Sequence, residues 1–238
     1  MVSVTLADAD AARTGLIERV EAAFSSADAR FSRYRPDSEL SRVVTGELAL
    51  LDASEELTVT YAEAIEWRGR TDGAFSPHRP DGSIDLDGIV KSAAMRTVGE
   101  LLDREGCHDW SLVVGGDQLV RGSGPDGLPW ITGIVDPADR AALLCSIAVR
   151  APRRAVASSG SAERGDHIWT VGLVPEFVQV TVVADDIVTA DVLATAIVAG
   201  GAATLDAACE RWPIDVLTVD RAGELRATSG FRAALATP

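Results

Sequence analysis

Between residues 111 and 184 the chain offers six short apolar runs, SLVVGG, QLVRG, WITGIVD, LLCSIAV, RAVASSG and VQVTVVA, separated by clusters of Gly, Pro and Asp. Runs of this length, rich in β-branched side chains and bounded by turn residues, form strands. Most connections between them are too short for the crossover that a parallel pair requires, so the sheet they build is mainly antiparallel. No period of 20 to 50 residues repeats and no low-complexity linker divides the chain, which predicts one α+β domain over residues 1–238, with helices packed on the sheet.

The helices fall before and after these strands. After an opening strand VSVTLA (2–7), AARTGLIERVEAAFSSADARFS (11–32) carries apolar residues at helical spacing. Pro36 and Asp37 end that pattern, and Ser38 begins a short helix. SEELTVTYAEAIEWRGRTDG (54–73) is a second long helix ended at Gly73, and GIVKSAAMRTVGELLDREG (88–106) a third, with Gly106 as its cap. TDGAFSPHRPDGSIDLDG, between them, has no hydrophobic period and is a loop. TADVLATAIVAG and AATLDAACERW read as two further helices, and IDVLTVD with ELRATSG as a hairpin across DRAG.

Charge removes some function classes. A net charge of −14 and a pI near 4.6 lack the positive field that a nucleic-acid binder or polybasic membrane anchor needs. Cys107, Cys145 and Cys209 are odd in number and far apart, with no CxxC spacing, which suggests neither a disulfide framework nor a zinc site. MVSVTLADADAARTG has no basic segment followed by an apolar one, and no long apolar run is free of polar residues. The expectation is a cytoplasmic protein without membrane insertion.

Four stretches could carry chemistry, each with a plain alternative. SIDLDGIVK sets Asp85, Asp87 and Gly88 before a helix start with Lys91 in its first turn, which suits a phosphate or simply a capped helix. Gly115-Gly116-Asp117 allows close approach to a ligand or makes a β-turn, and taken alone it favours the turn. Ser158, Ser159 and Gly160 follow a strand, and His167 stands beside Asp166, which could tune it as a base or leave it structural. In TADVLATAI, Asp191 and Thr195 lie four apart, on one helix face. Two hard oxygen donors suit Mg²⁺, while the alternative is an aspartate cap and a threonine bonded to its own helix.

Taken together and in order, FSRYRPDSELSRV (31–43), TDGAFSP (71–77), IDLDGIVKS (84–92), LVVGGDQLVRG (112–122), ASSGSAERGDHI (157–168) and VTVVADDIVTADVLATAIVAGG (180–201) resemble the ApbE family of FAD:protein FMN transferases. The resemblance implies an Mg²⁺-dependent transferase that splits the pyrophosphate of FAD and moves FMN to a Thr or Ser hydroxyl of an acceptor flavoprotein, releasing AMP. It implies metal ligation by Asp191, Thr195 and the carbonyl of Gly88. It places FAD against Tyr34, Ala74, Phe75, Ser76, Asp85, Lys91, Gly115, Gly116, Ser159 and Gly160, with His167 as the base.

The chain departs from that pattern in four places. It begins at the strand that would follow the family's usual N-terminal segment, and HIWTVGLVPEF replaces the usual Asp-Pro pair after His167. Ser92 stands where Gly is usual, and Ala194 where some members carry a second aspartate. These departures leave two alternatives to transfer: hydrolysis of FAD to FMN and AMP, and FAD binding without turnover.

Overall fold

The computed structural model describes residues 2–6, 14–160 and 175–236. A seven-stranded sheet runs in the order β1-β2-β3-β6-β7-β8-β9, and a separate two-stranded sheet pairs β4 with β5. The strands are β1 (Val2–Leu6), β2 (Trp110–Val114), β3 (Asp117–Arg121), β4 (Trp130–Val135), β5 (Leu143–Val149), β6 (Ala155–Gly160), β7 (Phe177–Ala184), β8 (Asp215–Asp220) and β9 (Leu225–Ala227). All pairings are antiparallel, and those of β2 with β3, β4 with β5 and β8 with β9 follow from short connections. The helices are α1 (Leu16–Phe31), α2 (Glu39–Val44), α3 (Glu55–Arg70), α4 (Asp87–Arg104), α5 (Ile187–Arg211) and α6 (Ser229–Ala233).

The central strands are apolar throughout because both their faces are covered. Successive side chains on a strand point to opposite sides. On β6, Ala155 and Ala157 face the larger core under α4 and α5, while Val156 faces a second core with Trp130, Ile134, Ile147 and Phe231. On β7 the same division puts Val180 and Val182 on one side and Val183 on the other. The hairpin of β4 and β5 therefore lies on the sheet face away from α4 and α5. The sequence pattern gives each strand but not this split into two sheets, and it gives no sign of α6.

Local chemistry sets the helix ends. Ser38 caps α2 by accepting from the Ser41 amide, Ser54 caps α3 through Leu57, and Asp186 caps α5 through Thr189. Gly106 follows α4 with φ of 75°, as the cap reading expects. The two predicted final helices are the halves of α5, which meet at Gly201, where φ is 67° and ψ −155°. α5 is long and apolar enough to cross a bilayer, with a mean hydropathy of 1.7 over its most apolar window. Here its Ile187, Val188, Val192, Leu193, Ile197 and Val198 fill the larger core against β6 and β7.

Candidate active site

Three elements converge under the sheet. α4 carries Lys91, β3 opens with Asp117 and α5 carries Asp191, and Lys91 Nζ forms ion pairs with both carboxylates, standing 3.3 Å from Asp191 Oδ1. Asp117 is 1% exposed and Asp191 0%, so the two charges sit in a space closed to water. Asp117 Oδ1 accepts the Ser158 amide at 3.1 Å, which fixes the carboxylate to β6. Burial, then the Asp191 charge, pushes the Asp117 carboxyl up to about 6, with Lys91 pulling the other way.

Hydroxyls complete the cluster. Thr195, one turn beyond Asp191, meets Ser159 Oγ across 3.1 Å, so its oxygen is turned to β6. Asp191 is not a cap, since Asp186 takes that role and Asp191 lies in the next turn. The neighbouring Ser158 hydroxyl pairs with Thr181 across the sheet at 2.8 Å. Among the described residues, two carboxylates face one ammonium here, and the paired hydroxyls of Thr195 and Ser159 lie one helical turn along from Asp191. Hard oxygen donors carrying surplus negative charge fit Mg²⁺ or another hard divalent cation.

Lys91 also lines a cleft of about 630 Å³ between α1 and α4. Its walls are apolar, from Phe24, Phe31 and Val90, and its mouth carries Arg33 and Tyr34, the latter 81% exposed. The cleft thus sets apolar side chains beside Lys91 and Arg33, with Asp28 and Asp87 also on its lining, a combination suited to a ligand with a ring and a phosphate.

Asp85 is 8% exposed and engaged by protein: Arg33 donates to Oδ2 at 2.6 Å, Arg79 lies 3.6 Å away, and Oδ1 accepts the Asp87 amide at 3.0 Å. Gly88 lies in the first turn of α4, where a Cβ would stand 2.8 Å from the Phe75 ring. Phe75 is accordingly buried, with its amide bonded to the Thr71 hydroxyl, and Ser76 is turned to the His78 backbone. Gly115 and Gly116, with φ of 59° and 97°, form the two-residue turn between β2 and β3. Gly160 ends β6 against the Val178 carbonyl. Ala74 lines a different hollow, of about 420 Å³, with Leu193, Gly200 and Trp212, which shares no described residue with the first. His167 lies outside the described residues.

Asp117 is the residue that sequence reasoning passed over. It follows two glycines and reads as the end of their turn. The signal in the sequence is an acidic residue immediately before the strand-like run QLVRG, and the structure buries that residue with the three that follow it.

The model of the ApbE family matches residues 1–80 and 76–218. The chain belongs to the ApbE family. Among curated proteins none matches it in sequence. Solved structures match over nearly the whole chain: the flavin transferase ApbE of Vibrio cholerae has 24% identity and a TM-score of 0.75, covering 98% of this chain and 95% of its own. The apo flavinyl transferase ApbE of Pseudomonas stutzeri has 18% identity and a TM-score of 0.76, covering 99% and 94%. The ApbE protein of Thermotoga maritima has 19% identity and a TM-score of 0.82, covering 99% and 96%. At these identities the likeness is one of fold, and it agrees with the α+β architecture and mainly antiparallel sheet expected from sequence.

Proposed function

We propose that this ApbE family member is an Mg²⁺-dependent flavin transferase, which takes FAD as substrate and passes FMN to a Ser or Thr hydroxyl of an acceptor flavoprotein. The observation that carries the reading is Lys91, which lines the cleft between α1 and α4 and also forms ion pairs with the buried Asp117 and Asp191 behind it. The names of the structural neighbours, flavin and flavinyl transferases, support it.

In this reading Tyr34 and the apolar walls hold the isoalloxazine ring, and Lys91 holds the diphosphate as a point charge. The acceptor oxygen bonds to the phosphorus of the FMN half. The bond from that phosphorus to the bridging oxygen breaks, and AMP leaves with the bridging oxygen and its electron pair. His167 takes the proton of the acceptor hydroxyl, since a neutral imidazole is the side chain suited to that transfer near pH 7. Asp191, Thr195 and the Gly88 carbonyl would hold Mg²⁺, with Ser159 orienting the threonine hydroxyl. When bound, the ion neutralises charge on the phosphate oxygens as the diphosphate is cleaved.

The test is incubation of the purified chain with FAD, Mg²⁺ and a peptide bearing a D-x-x-[ST]-[GS]-A-[ST] acceptor sequence, read by mass spectrometry. Transfer adds an FMN mass to the peptide and releases AMP, and Asp191→Ala abolishes both. AMP without modified peptide shows hydrolysis instead, and retained FAD without products shows a binding protein; either result overturns transfer.

A further inference from the structure

Lys91 has two partners and does not treat them alike. Its ammonium is in contact with Asp117 on β3 and 3.3 Å from Asp191 on α5. The Asp117 carboxylate cannot turn away, because its other oxygen accepts the Ser158 amide at 3.1 Å and so is tied to the β6 backbone. A lysine on a four-carbon stem has the reach to settle on whichever anion is nearest and best fixed. Were Asp117 uncharged, Asp191 would be the remaining buried anion ion-paired with the ammonium among the described residues. The two would form a neutral pair at the position where a cation is required.

We propose that Asp117 is a positioning residue that draws the Lys91 ammonium to the β3 side of the cluster and thereby loosens its hold on the Asp191 carboxylate, so that a divalent cation can compete for it. The inference rests on the Mg²⁺ reading of Asp191 and Thr195. With both carboxylates charged, the cluster keeps one net negative charge after Lys91 is counted, and an arriving cation meets attraction. In the absence of the Asp117 charge, the ion pair that Lys91 already makes with Asp191 tightens, and the ammonium competes more strongly with the cation for the same oxygens.

The experiment measures Mn²⁺ affinity directly, by electron paramagnetic resonance of the free ion, on the full chain without FAD. Asp117→Asn keeps an oxygen acceptor for the Ser158 amide, removes the charge and replaces the oxygen that faces Lys91 with an amide nitrogen. It is expected to weaken Mn²⁺ binding about tenfold or more, in the range seen when partners of metal ligands are changed. Adding Lys91→Met removes the competitor and is expected to restore affinity to within about threefold of the unsubstituted chain. Asp117→Ser, smaller and equally uncharged, carries the same pair of expectations if the asparagine variant does not fold. Unchanged affinity in Asp117→Asn overturns the inference. So does a double variant as weak as the single one, which would make Asp117 a direct ligand or a support of the fold. Both results leave the cation reading intact, whereas an unsubstituted chain that binds no Mn²⁺ overturns that reading and this inference with it.

Discussion

Arg33 donates to Asp85 across 2.6 Å, and this bond joins the loop after α1 to the loop that opens α4. Asp85 also accepts the Asp87 amide at 3.0 Å, so one nearly buried carboxylate sets both the entry to α4 and the wall of the cleft. Asp85→Ala removes the nearly buried carboxylate that Arg33 and Arg79 share. It should cost about 3 kcal/mol of stability in urea denaturation, against about 1 kcal/mol for Arg33→Ala, which leaves Asp85 its other partners. An Asp85→Ala cost within about 0.5 kcal/mol, as for an ordinary surface change, would show that the latch does not hold these loops.

Gly88 is fixed by what lies above it. A Cβ there would approach the buried Phe75 ring to 2.8 Å, so Gly88→Ala forces the ring or the first turn of α4 to move. The expected loss is about 1 to 3 kcal/mol, as for other overpacked sites. Phe75→Leu in the same chain should recover most of it by making room. A double variant no more stable than Gly88→Ala alone would place the strain elsewhere.

Much of this architecture is visible in the residues themselves, because period and punctuation are local. The all-apolar VQVTVVA reads as a strand, and Ser38 and Gly106 mark helix ends, since each signal acts within a few residues. What escapes is set by contacts distant in sequence. Nothing near WITGIVD says that it leaves the main sheet to cover its far face. Nothing near GGDQ says that Asp117 will meet a lysine on α4, because that meeting depends on how β3 is seated beside β6. Asp191 and Thr195 were legible as a pair, since helical spacing fixes their relation. The partnership of Thr195 with Ser159 was not, because it crosses from α5 to β6.

The raised Asp117 carboxyl gives stability a particular slope with pH. Its value of about 6 in the folded chain lies above that of an unfolded aspartate, about 3.9. Between those values the folded chain holds a proton that the unfolded chain has lost, so stability falls as pH rises from about 4 to about 6 and then levels. The contribution amounts to about 3 kcal/mol at most. With a chelator present, Asp117→Asn should become progressively more stable relative to the unsubstituted chain over that interval. Asp191→Asn, by removing the second cause of the shift, should flatten the slope in part. Parallel stability curves for the unsubstituted chain and Asp117→Asn from pH 4 to 7 would contradict this assignment.

Glu176 offers a contrast, since it supports α5 without belonging to the site. The helix breaks at Gly201, and the Ala202 amide that begins its second half donates to Glu176 Oε2 at 2.9 Å. A carboxylate at this point acts as a side-chain cap, worth about 1 kcal/mol, and Glu176→Ala should lose that amount. Gly201→Ala should lose more, because φ of 67° strains any residue with a Cβ and that Cβ would stand 2.9 Å from the same Glu176 oxygen. Asp191 and Thr195 lie in the first half of α5, where the surrounding positions are buried in the larger core on their own account. Both changes should therefore lower the urea midpoint while leaving Mn²⁺ affinity within about threefold, the reverse of what Asp191→Asn does. A loss of cation binding in Glu176→Ala at unchanged stability would mean that the kink, and not only the first half of the helix, sets the position of Asp191.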